Sequence, residues 1–409
     1  MSSSAKHVLL ITSTNLACNP RCLKEVRLLN ALHFKITVVA FNLHNWTTEK
    51  ETIINKELSN VEFIYLETTK HDFFGWISSS LIEKISGAFS SLLKSNTFLS
   101  AVSISKRTWI LLKWSKKWKG KTDFIIAHNP PAFYVAAELA KSLNVSFAID
   151  VEDYHPGEGN NENQKKNMIF LMQQTIAQTG YTSYAAPLIK KYTEALLPKN
   201  KLNGIVINNN FSQSEFLEPV QRNTSNPKLK FVWFSQFIDY RRGLEKVLPA
   251  LDDFADLIEL TLIGNLREHF YNAELKQRKY IKIISSLSQK DLNNELANYD
   301  FGLALEDKEA DTNRNICLTN KIWSYFQAGL FIIASDTEAQ QDFILQHQNH
   351  GLIISFESDD IVQKIKMLIY QLPEICSKKT SRFEDAKKEN WENESLLLIN
   401  KWNSLLNRG

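Results

Sequence analysis

Short apolar runs alternate with longer amphipathic stretches through the first half of the chain. HVLLITST at 7–14 and KITVVAF at 35–41 are continuous apolar segments, as expected for parallel strands that are buried on both faces. Between them, PRCLKEVRLLNALHF spaces its apolar residues at roughly the helical period behind Pro20. Together these segments predict a βαβ unit with a right-handed crossover. The alternation continues in VEFIYLE, DFIIAH, PAFYVAAELAKSLN, VSFAIDVED, QKKNMIFLMQQTIAQTG, YTSYAAP and GIVINNN.

The alternation is interrupted around 206–230, where the sequence becomes polar and rich in turn residues. Such a stretch is typical of a connection between domains. We therefore predict an α/β protein with two domains, 1–205 and 206–385, each built on a mostly parallel sheet. The segments that carry the restarted pattern are LKFVWFS, GLEKVLPALDDF, LIELTLIGN, YIKIISSL, QKDLNNELANY, DFGLALE, NKIWSYFQAG and LFIIASD.

The last segment, 386–409, contains the amphipathic run ENWENESLLLINKWNSLL and predicts one closing helix. Two placements are open for this helix. It either caps the second domain or returns to pack on the first domain.

Length and composition agree with two globular domains. The 409 residues exceed the roughly 100–200 residues of an ordinary domain. Hydrophobic residues make up 44% and charged residues 23%, which excludes a disordered chain, and a total of 13 Gly excludes collagen-like and glycine-loop architectures. The net charge of +3 argues against a dedicated nucleic-acid binder, so we predict no nucleic-acid partner.

Cysteine usage and the N-terminus favour a cytoplasmic protein. The sequence has four Cys, and the pair Cys18 and Cys22 lacks a second pair at metal-site spacing. Reduced thiols fit this number better than a disulfide framework. The apolar run near the N-terminus is too short to cross a membrane and is predicted to begin a strand.

Several common enzyme motifs are missing. The sequence contains no G-x-G-x-x-G, no G-x-x-x-x-G-K-[ST], no H-E-x-x-H and no G-x-S-x-G. A standard dinucleotide dehydrogenase and a P-loop NTPase are therefore disfavoured. Ligands of open α/β sheets bind at the carboxyl ends of the strands, so the polar residues at strand ends become the candidates.

Five stretches in chain order together resemble the retaining family-4 glycosyltransferases of the GT-B fold. The resemblance implies two Rossmann-like domains facing each other across a cleft. It also implies transfer of a sugar from a nucleotide-sugar, bound mainly by the second domain, to an acceptor held by the first domain. No metal is implied, because basic residues neutralise the diphosphate. The five stretches are NPRCLKEVRLLNALHFKITVVAF, DFIIAHNPPAFYVAAELAK, IDVEDYHPGE, SQFIDYRRGLEKVL and NKIWSYFQAGLFIIASD.

Basic residues next to predicted helix starts are candidate donor-binding residues. Arg241 and Arg242 precede Gly243 after a strand, and cations at a helix N-terminus form a natural diphosphate site. Arg242 matches a family Lys, but Gln236 stands where the family has an Arg, so one phosphate cation is missing or is supplied from elsewhere. Lys321 lies in the first turn of the helix that Asn320 is predicted to cap, where it either reaches a phosphate or is a solvated surface charge.

The carboxylates that the family uses for the donor are replaced in this chain. Ser324 stands where the family commonly has a Glu that binds the ribose hydroxyls, and Ile316 stands at another Glu position. Ser324 either bonds the ribose or is a plain polar residue on a helix. Glu306 and Glu309, just after the strand DFGLALE, are possible substitutes, and Glu306 is the nearer to the strand exit.

In the first domain, the strand ends carry the candidate catalytic residues His128, Glu152 and Asp153. The family often has a His at the position of Glu152, where it contacts the transferred sugar. Acids at a strand exit also occur in ordinary turns, and a lone His is more often structural than catalytic.

The first βα loop contains Asn15, Asn19 and Arg21, at the place where the family folds over the donor phosphates and the acceptor. These three residues are candidates for an acceptor and phosphate loop. Arg21 has the alternative of a surface position near the helix start.

The stretch 106–121, KRTWILLKWSKKWKGK, combines three Trp with seven basic residues. Ile110, Trp114 and Trp118 share one face of a predicted helix. Such a helix either contacts an anionic membrane surface peripherally, on the inner face, or packs on the sheet through its Trp residues with the lysines solvated.

The sequence therefore predicts a retaining glycosyltransferase that uses a UDP- or GDP-linked sugar and a glycan or lipid-linked acceptor, in surface polysaccharide synthesis. The nucleotide-sugar is a substrate, and no further cofactor is predicted. Two alternatives remain open. One is a catalytically inactive GT-B-like partner of another glycosyltransferase, and the other is a GT-B enzyme such as a sugar-nucleotide epimerase.

Overall fold

Two compact units make up the chain: unit 1 contains Met1–Ile207 and Leu397–Gly409, and unit 2 contains Asn208–Leu396. Each unit is an α/β structure with one sheet, and every strand pairing is parallel within the part of the chain that is described. The α/β class predicted from the apolar runs is thereby confirmed. The computed structural model describes residues 5–68, 73–92, 96–159, 161–199, 202–220 and 228–406, so 221–227 of the predicted connection lie outside the described residues.

The sheet of unit 1 has the strand order β3-β2-β1-β4-β5-β6-β7. Its central strands are almost wholly apolar and buried, as the continuous runs predicted. This order places the carboxyl ends of β1, β4 and β5 side by side, with Thr12 paired to His128 and His128 paired to Asp150. The strands are β1 (His7–Thr12), β2 (Lys35–Asn42), β3 (Glu62–Glu67), β4 (Phe124–His128), β5 (Ser146–Val151), β6 (Tyr181–Tyr184) and β7 (Gly204–Val206).

The helices of unit 1 include two that follow the predicted βα pattern directly, one after β1 and one after β4. Both begin with Pro in the first turn, where its missing N–H costs no hydrogen bond. The sequence pattern made no prediction for the helices between 48 and 104. The helices are α1 (Pro20–Ala31), α2 (Thr48–Glu57), α3 (Phe73–Leu92), α4 (Thr97–Ile104), α5 (Lys106–Ser115), α6 (Pro130–Leu143), α7 (Glu162–Ile176) and α8 (Pro187–Glu194).

The sheet of unit 2 has the strand order β10-β9-β8-β11-β12-β13. Large side chains such as Trp233, Phe231 and Phe301 lie fully buried in its core. The strands are β8 (Leu229–Ile238), β9 (Ile258–Leu266), β10 (Ile281–Ile284), β11 (Phe301–Ala304), β12 (Phe331–Ser335) and β13 (Gly351–Ile354). The helices are α9 (Leu244–Asp252), α10 (Glu268–Phe270), α11 (Gln289–Glu295), α12 (Thr312–Ile316), α13 (Asn320–Gln327), α14 (Glu338–Gln346), α15 (Ser358–Ser377) and α16 (Lys379–Ala386).

The closing helix is α17 (Trp391–Leu406), and the division into units falls within it, after Leu396. In the portion that belongs to unit 1, Trp402 is buried and its indole N–H donates to the Tyr181 hydroxyl at 2.8 Å. Among the helices that the structure describes, none has an apolar stretch long enough to cross a membrane.

Candidate functional site

The first βα loop of unit 1 is held together by its own asparagines. Asn19 caps α1 by accepting from the Cys22 N–H at 2.9 Å, and Asn15 accepts from the Cys18 N–H at 3.0 Å. The Asn15 amide also donates to the Thr47 hydroxyl at 2.6 Å. Both asparagines are buried. The two asparagines therefore shape the loop. Because both side chains are buried, neither offers an exposed amide for the ligand contact that the sequence predicted.

Arg21 lies on the first turn of α1 and forms a buried ion pair with Asp150 at the end of β5. Its guanidinium donates to the two Asp150 carboxylate oxygens at 2.8 and 2.6 Å and to the Ile207 carbonyl at 2.8 Å. The Ser183 hydroxyl donates to the same carboxylate at 2.7 Å. Burial alone would raise the pKa of Asp150, but Arg21 and the neighbouring His128 hold it well below its usual value. The alternative of a surface Arg21 is wrong, because the side chain is buried.

His128 ends β4 and is fully buried between two carboxylates. Its Nδ1 lies 3.4 Å from Asp150 Oδ2 and its Nε2 lies 3.6 Å from Glu25 Oε2. Burial alone would lower the pKa of His128, but Cys22, Glu25 and Asp150 raise it well above its usual value. The ring therefore lies where two carboxylates favour its protonated form.

Glu152, just beyond β5, is half-buried next to this cluster. Burial, Asp153 and Asp150 raise the pKa of Glu152 to about 7, against the opposing effects of Arg21 and His128. A carboxyl group with a near-neutral pKa is well suited to accept or donate a proton at physiological pH. Asp153 is also half-buried. Glu152 is therefore the group of this cluster best placed for acid–base chemistry.

The ligand atoms of His128, Asp150 and Glu152 lie within 4.8 Å of one another, a spacing that would suit a metal ion. The Asp150 carboxylate, however, is already bonded to the Arg21 guanidinium through both oxygens. A cation at this place would lie close to a fixed positive charge and compete with it. These residues therefore fit the arginine better than a metal.

In unit 2, the exits of β11 and β12 are joined by hydrogen bonds. The Ser335 hydroxyl accepts from the Glu306 N–H at 2.9 Å and donates to the Glu306 carbonyl at 2.7 Å. The Glu306 backbone is thereby fixed just past the end of β11. Its side chain points into a cluster of cations.

Lys321 and Arg314 hold the Glu306 carboxylate between them. Lys321 Nζ donates to Oε1 at 2.6 Å, and the Arg314 Nη1 donates to Oε2 at 3.2 Å. Lys321 and Glu306 are both buried, so the interpretation of Lys321 as a solvated surface charge is wrong. Two cations share this carboxylate, and the Nε of Arg314 also lies 3.9 Å from Asp311 Oδ2. The excess of positive charge at this sheet edge therefore comes from the neighbouring Arg241 and Arg242. Glu306 would bind a ribose only by sharing oxygens that Lys321 and Arg314 already use.

Arg241 and Arg242 precede α9 in a tight turn. Arg241 has φ +64°, and Gly243 has φ +78°. A Cβ on Gly243 would lie 2.9 Å from Phe356 and 3.0 Å from Leu305, so the turn requires glycine. Arg241 is exposed and Arg242 is half-buried, and neither guanidinium has an ion pair with another described residue. The turn lies beside the cation cluster, since Arg314 Nη1 is 3.4 Å from the Arg241 carbonyl oxygen.

Two residues of α13, Asn320 and Ser324, lie in surroundings that differ from those the sequence predicted. Thr319, and not Asn320, is the N-cap residue, and Asn320 is exposed in the first turn. Ser324 is fully buried and its hydroxyl donates to the Asn293 side-chain oxygen at 3.3 Å. A ribose would reach Ser324 only after Asn293 moved away.

The two other positions at which the chain departs from the family are also explained locally. Ile316 is fully buried at the end of α12 and packs as a core residue. Gln236 is exposed within the irregular part of β8, where its carbonyl accepts from Asn265 at 2.9 Å.

The basic stretch 106–121 forms a shorter helix than its Trp spacing predicted. α5 ends at Ser115, so Trp118 lies in the following turn and does not share a helical face with Ile110. The Trp118 ring still packs near Trp114, with 5.4 Å between ring centroids, and its indole donates to Thr122 at 3.0 Å. The core-facing residues of α5 are Leu111 and Leu112.

Sequence reasoning missed three residues that complete these clusters: Glu25, Ser183 and Arg314. Glu25 lies four residues after Arg21 on α1, so helical spacing placed both on one face and was the available signal. Arg314 and Ser183 carry no motif. Their roles depend on which strands and helices are neighbours in the fold.

Solved structures with the same architecture align with nearly the whole chain. HepE from Anabaena, in complex with UDP and glucose, covers 98% of this chain and 100% of its own, with a TM-score of 0.67 and 12% identity. Sucrose-phosphate synthase from Thermosynechococcus elongatus covers 99% and 100%, with a TM-score of 0.67 and 11% identity. The chain has the GT-B fold.

This likeness establishes the fold and not the reaction. A protein from Listeria monocytogenes assigned as a UDP-N-acetylglucosamine 2-epimerase also aligns, over 99% of this chain and 98% of its own, with a TM-score of 0.57 and 11% identity. No protein-family model matches the sequence, and no curated protein sequence matches it. The functional assignment therefore depends on the two residue clusters.

Proposed function

We propose that the protein is a glycosyltransferase that takes its sugar from a nucleotide-sugar bound by unit 2. The observation that carries this proposal is the cation cluster at the carboxyl edge of the unit 2 sheet. Lys321 and Arg314 share Glu306, and the Arg241–Arg242 turn leads into the N-terminus of α9 beside them. Guanidinium groups and a helix N-terminus are suited to the two charges of a diphosphate.

Arg314 takes the place of the missing phosphate cation in this proposal. Gln236 occupies the position where related sequences have an Arg, and Arg314 brings a guanidinium to the same sheet edge from α12. Glu306 then acts as a positioning residue that orients Lys321 and Arg314. The donor is a UDP- or GDP-linked sugar, and the UDP bound to HepE supports the former.

The proposed reaction is transfer with retention of the anomeric configuration. The acceptor oxygen forms a bond to the anomeric carbon while the bond from that carbon to the diphosphate oxygen breaks, and the departing diphosphate takes the acceptor proton. The cations of unit 2 stabilise the charge that develops on the leaving group, so no metal is required. Unit 1 binds the acceptor, with Glu152 as the hydrogen-bond partner of its hydroxyl groups.

The acceptor is proposed to be a glycan or a lipid-linked sugar in surface polysaccharide synthesis. The half-buried acids Glu152 and Asp153 support a hydroxyl-rich ligand on unit 1, because carboxylates accept hydrogen bonds from hydroxyl groups. His128 is not exposed to any ligand and instead supports Asp150 from within.

The test is a calorimetric titration of UDP and GDP into the full chain, followed by incubation with the nucleotide-sugars of the base that binds. Binding followed by sugar transfer to an added acceptor, with retention shown by NMR of the product, would support the proposal. Failure to bind any nucleotide would contradict it. Conversion of the sugar-nucleotide without an acceptor would instead identify an epimerase.

One observation favours a second candidate, the inactive GT-B-like partner of another glycosyltransferase. The chain's Lys321 is already neutralised by Glu306 at 2.6 Å, and Ser324 is fully buried against Asn293. A protein of this kind would bind no nucleotide, yet it would copurify with an active transferase. The titration separates the two candidates.

A further inference from the structure

Between residues 77 and 90, helix α3 exposes four large apolar residues and buries three serines. Ile77, Leu81, Ile85 and Phe89 follow one another at intervals of four residues, and each is between 42% and 56% exposed. Ser79, Ser86 and Ser90 lie on the opposite side and are between 1% and 7% exposed. A surface helix of a protein in water normally has the reverse arrangement.

The packing of the serine face fixes this orientation. α3 packs against α4 and α5. The Ser90 hydroxyl accepts from the Asn167 amide of α7 at 2.9 Å, and the same amide donates to Ser103 of α4 at 2.9 Å. Rotating α3 to bury its apolar side would remove Ser90 from the half-buried Asn167 amide, which would keep only Ser103 of α4, and would expose the buried Ser79 and Ser86. The hydrogen bond from Asn167 to Ser90 and the burial of these serines therefore hold the apolar face outward.

The surroundings of α3 indicate what covers this face. The segment that contains α5 and the turn after it carries the exposed Lys113, Lys116, Lys117 and Lys119, none of which forms an ion pair with another described residue. Lysine is depleted from protein–protein interfaces. An apolar helix face next to a lysine-rich segment instead matches the boundary between the acyl chains and the anionic headgroups of a bilayer.

We propose that α3 lies in the plane of an anionic bilayer surface, with Ile77, Leu81, Ile85 and Phe89 inserted among the acyl chains. The lysines at 113–119 contact the headgroups, and α5 holds them beside α3. The helix lies at the surface and does not cross the bilayer, since none of the described helices has an apolar stretch long enough to do so. In this proposal, α3 contacts the acyl chains, and the stretch 106–121 contacts only the charged headgroups. The proposal does not depend on sugar transfer.

The experiment is co-sedimentation of the full chain with vesicles of phosphatidylcholine alone or with one-third phosphatidylglycerol, without nucleotide. We expect binding to the anionic vesicles that weakens as salt rises from about 0.1 M to about 1 M, because the Debye length falls from about 10 to about 3 Å. The double variant Leu81→Ser/Ile85→Ser is expected to lower the partition coefficient at least tenfold. Lys113→Glu/Lys117→Glu should remove the preference for anionic lipid.

The matched control is Leu345→Ser, which changes a 67% exposed Leu on α14 of unit 2 and should bind vesicles like the parent. Circular dichroism melts check that each variant is folded. No binding of the parent to anionic vesicles would overturn the proposal, as would parent-like binding by a folded Leu81→Ser/Ile85→Ser variant. A parent that dimerises by sedimentation velocity, ignores vesicles and becomes monomeric in that variant would show that a second copy covers the face.

Discussion

Units 1 and 2 each place a buried carboxylate at a strand exit and surround it with basic side chains, but the two clusters differ in what they leave available. In unit 1, Arg21 takes both oxygens of Asp150, and His128 lies between Asp150 and Glu25. In unit 2, Lys321 and Arg314 share the carboxylate of Glu306, Arg314 also lies 3.9 Å from Asp311, and the Arg241–Arg242 turn lies beside them. The first cluster is balanced, since each basic side chain faces a carboxylate, and the second retains positive charge from the two arginines of the turn.

Under the proposed function, this difference fits the two clusters to two different ligands. The balanced cluster of unit 1 leaves Glu152 half-buried with a pKa of about 7, which suits hydroxyl groups and protons. The unbalanced cluster of unit 2 suits a diphosphate. Changing one residue at a time in each unit tests whether the contrast is real.

The largest expected effect is on stability, from Asp150→Ala. The change leaves the Arg21 guanidinium buried without its partner, which costs about 3–5 kcal/mol of unfolding free energy. Glu306→Ala should cost less, about 1.5–3 kcal/mol: the buried Lys321 ammonium keeps only the Leu305 carbonyl at 3.5 Å, but Arg314 is partly exposed and can turn towards water. Urea denaturation of both variants measures the difference, and the exposed Asp253→Ala is the control. Equal losses would mean that the two clusters are alike in burial.

Nucleotide affinity is expected to respond in unit 2. Arg242→Ala and Arg314→Ala each remove a charge-assisted contact worth about 1.5–3 kcal/mol, so UDP or GDP should bind tenfold or more weakly. Lys321→Ala should do the same and, in addition, release Glu306. Calorimetric titration is the measurement, with the exposed Lys366→Ala as control. If Arg314→Ala binds the nucleotide as tightly as the parent, Arg314 does not replace the missing phosphate cation.

A smaller effect concerns pH and unit 1. The folded-state pKa of Glu152 is about 7, above the reference value of 4.5, so between these values the folded chain holds a proton that the unfolded chain has lost. The free energy of unfolding should therefore fall as pH rises through this window, by about 1–2 kcal/mol from this group. Glu152→Gln should flatten that decline, measured by urea denaturation at about pH 5 and about pH 7.5. The exposed Glu138→Gln should keep the parent's slope.

The smallest expected effect is that of Ser324→Ala. Loss of its hydrogen bond to Asn293 should cost about 1 kcal/mol or less of unfolding free energy. Nucleotide affinity should remain that of the parent, since the hydroxyl is fully buried. A drop in nucleotide affinity without a loss of stability would instead support a contact between Ser324 and the ribose.

The sequence predicted where the candidate site residues lie in the fold better than it predicted their contacts and burial. Strand exits are visible as the points where apolar runs end, so His128, Glu152 and Glu306 were placed correctly at sheet edges. The capping roles of Asn15 and Asn19 and the burial of Lys321 were not visible, because a polar residue at a loop or helix start has the same sequence pattern whether it faces solvent or the interior.

By itself, the sequence determined the α/β rhythm and the two parallel sheets, because burial on both faces requires continuous apolar strands and local spacing sets the helices. Only the tertiary structure decided which side chains meet. Arg21 and Asp150 are 129 residues apart and become partners because β1 and β5 flank β4. The outward apolar face of α3 was likewise not visible in the sequence, since its inward face packs on other helices and bonds through Ser90 to Asn167 of α7. Such pairings depend on strand order and helix packing, which no local pattern encodes.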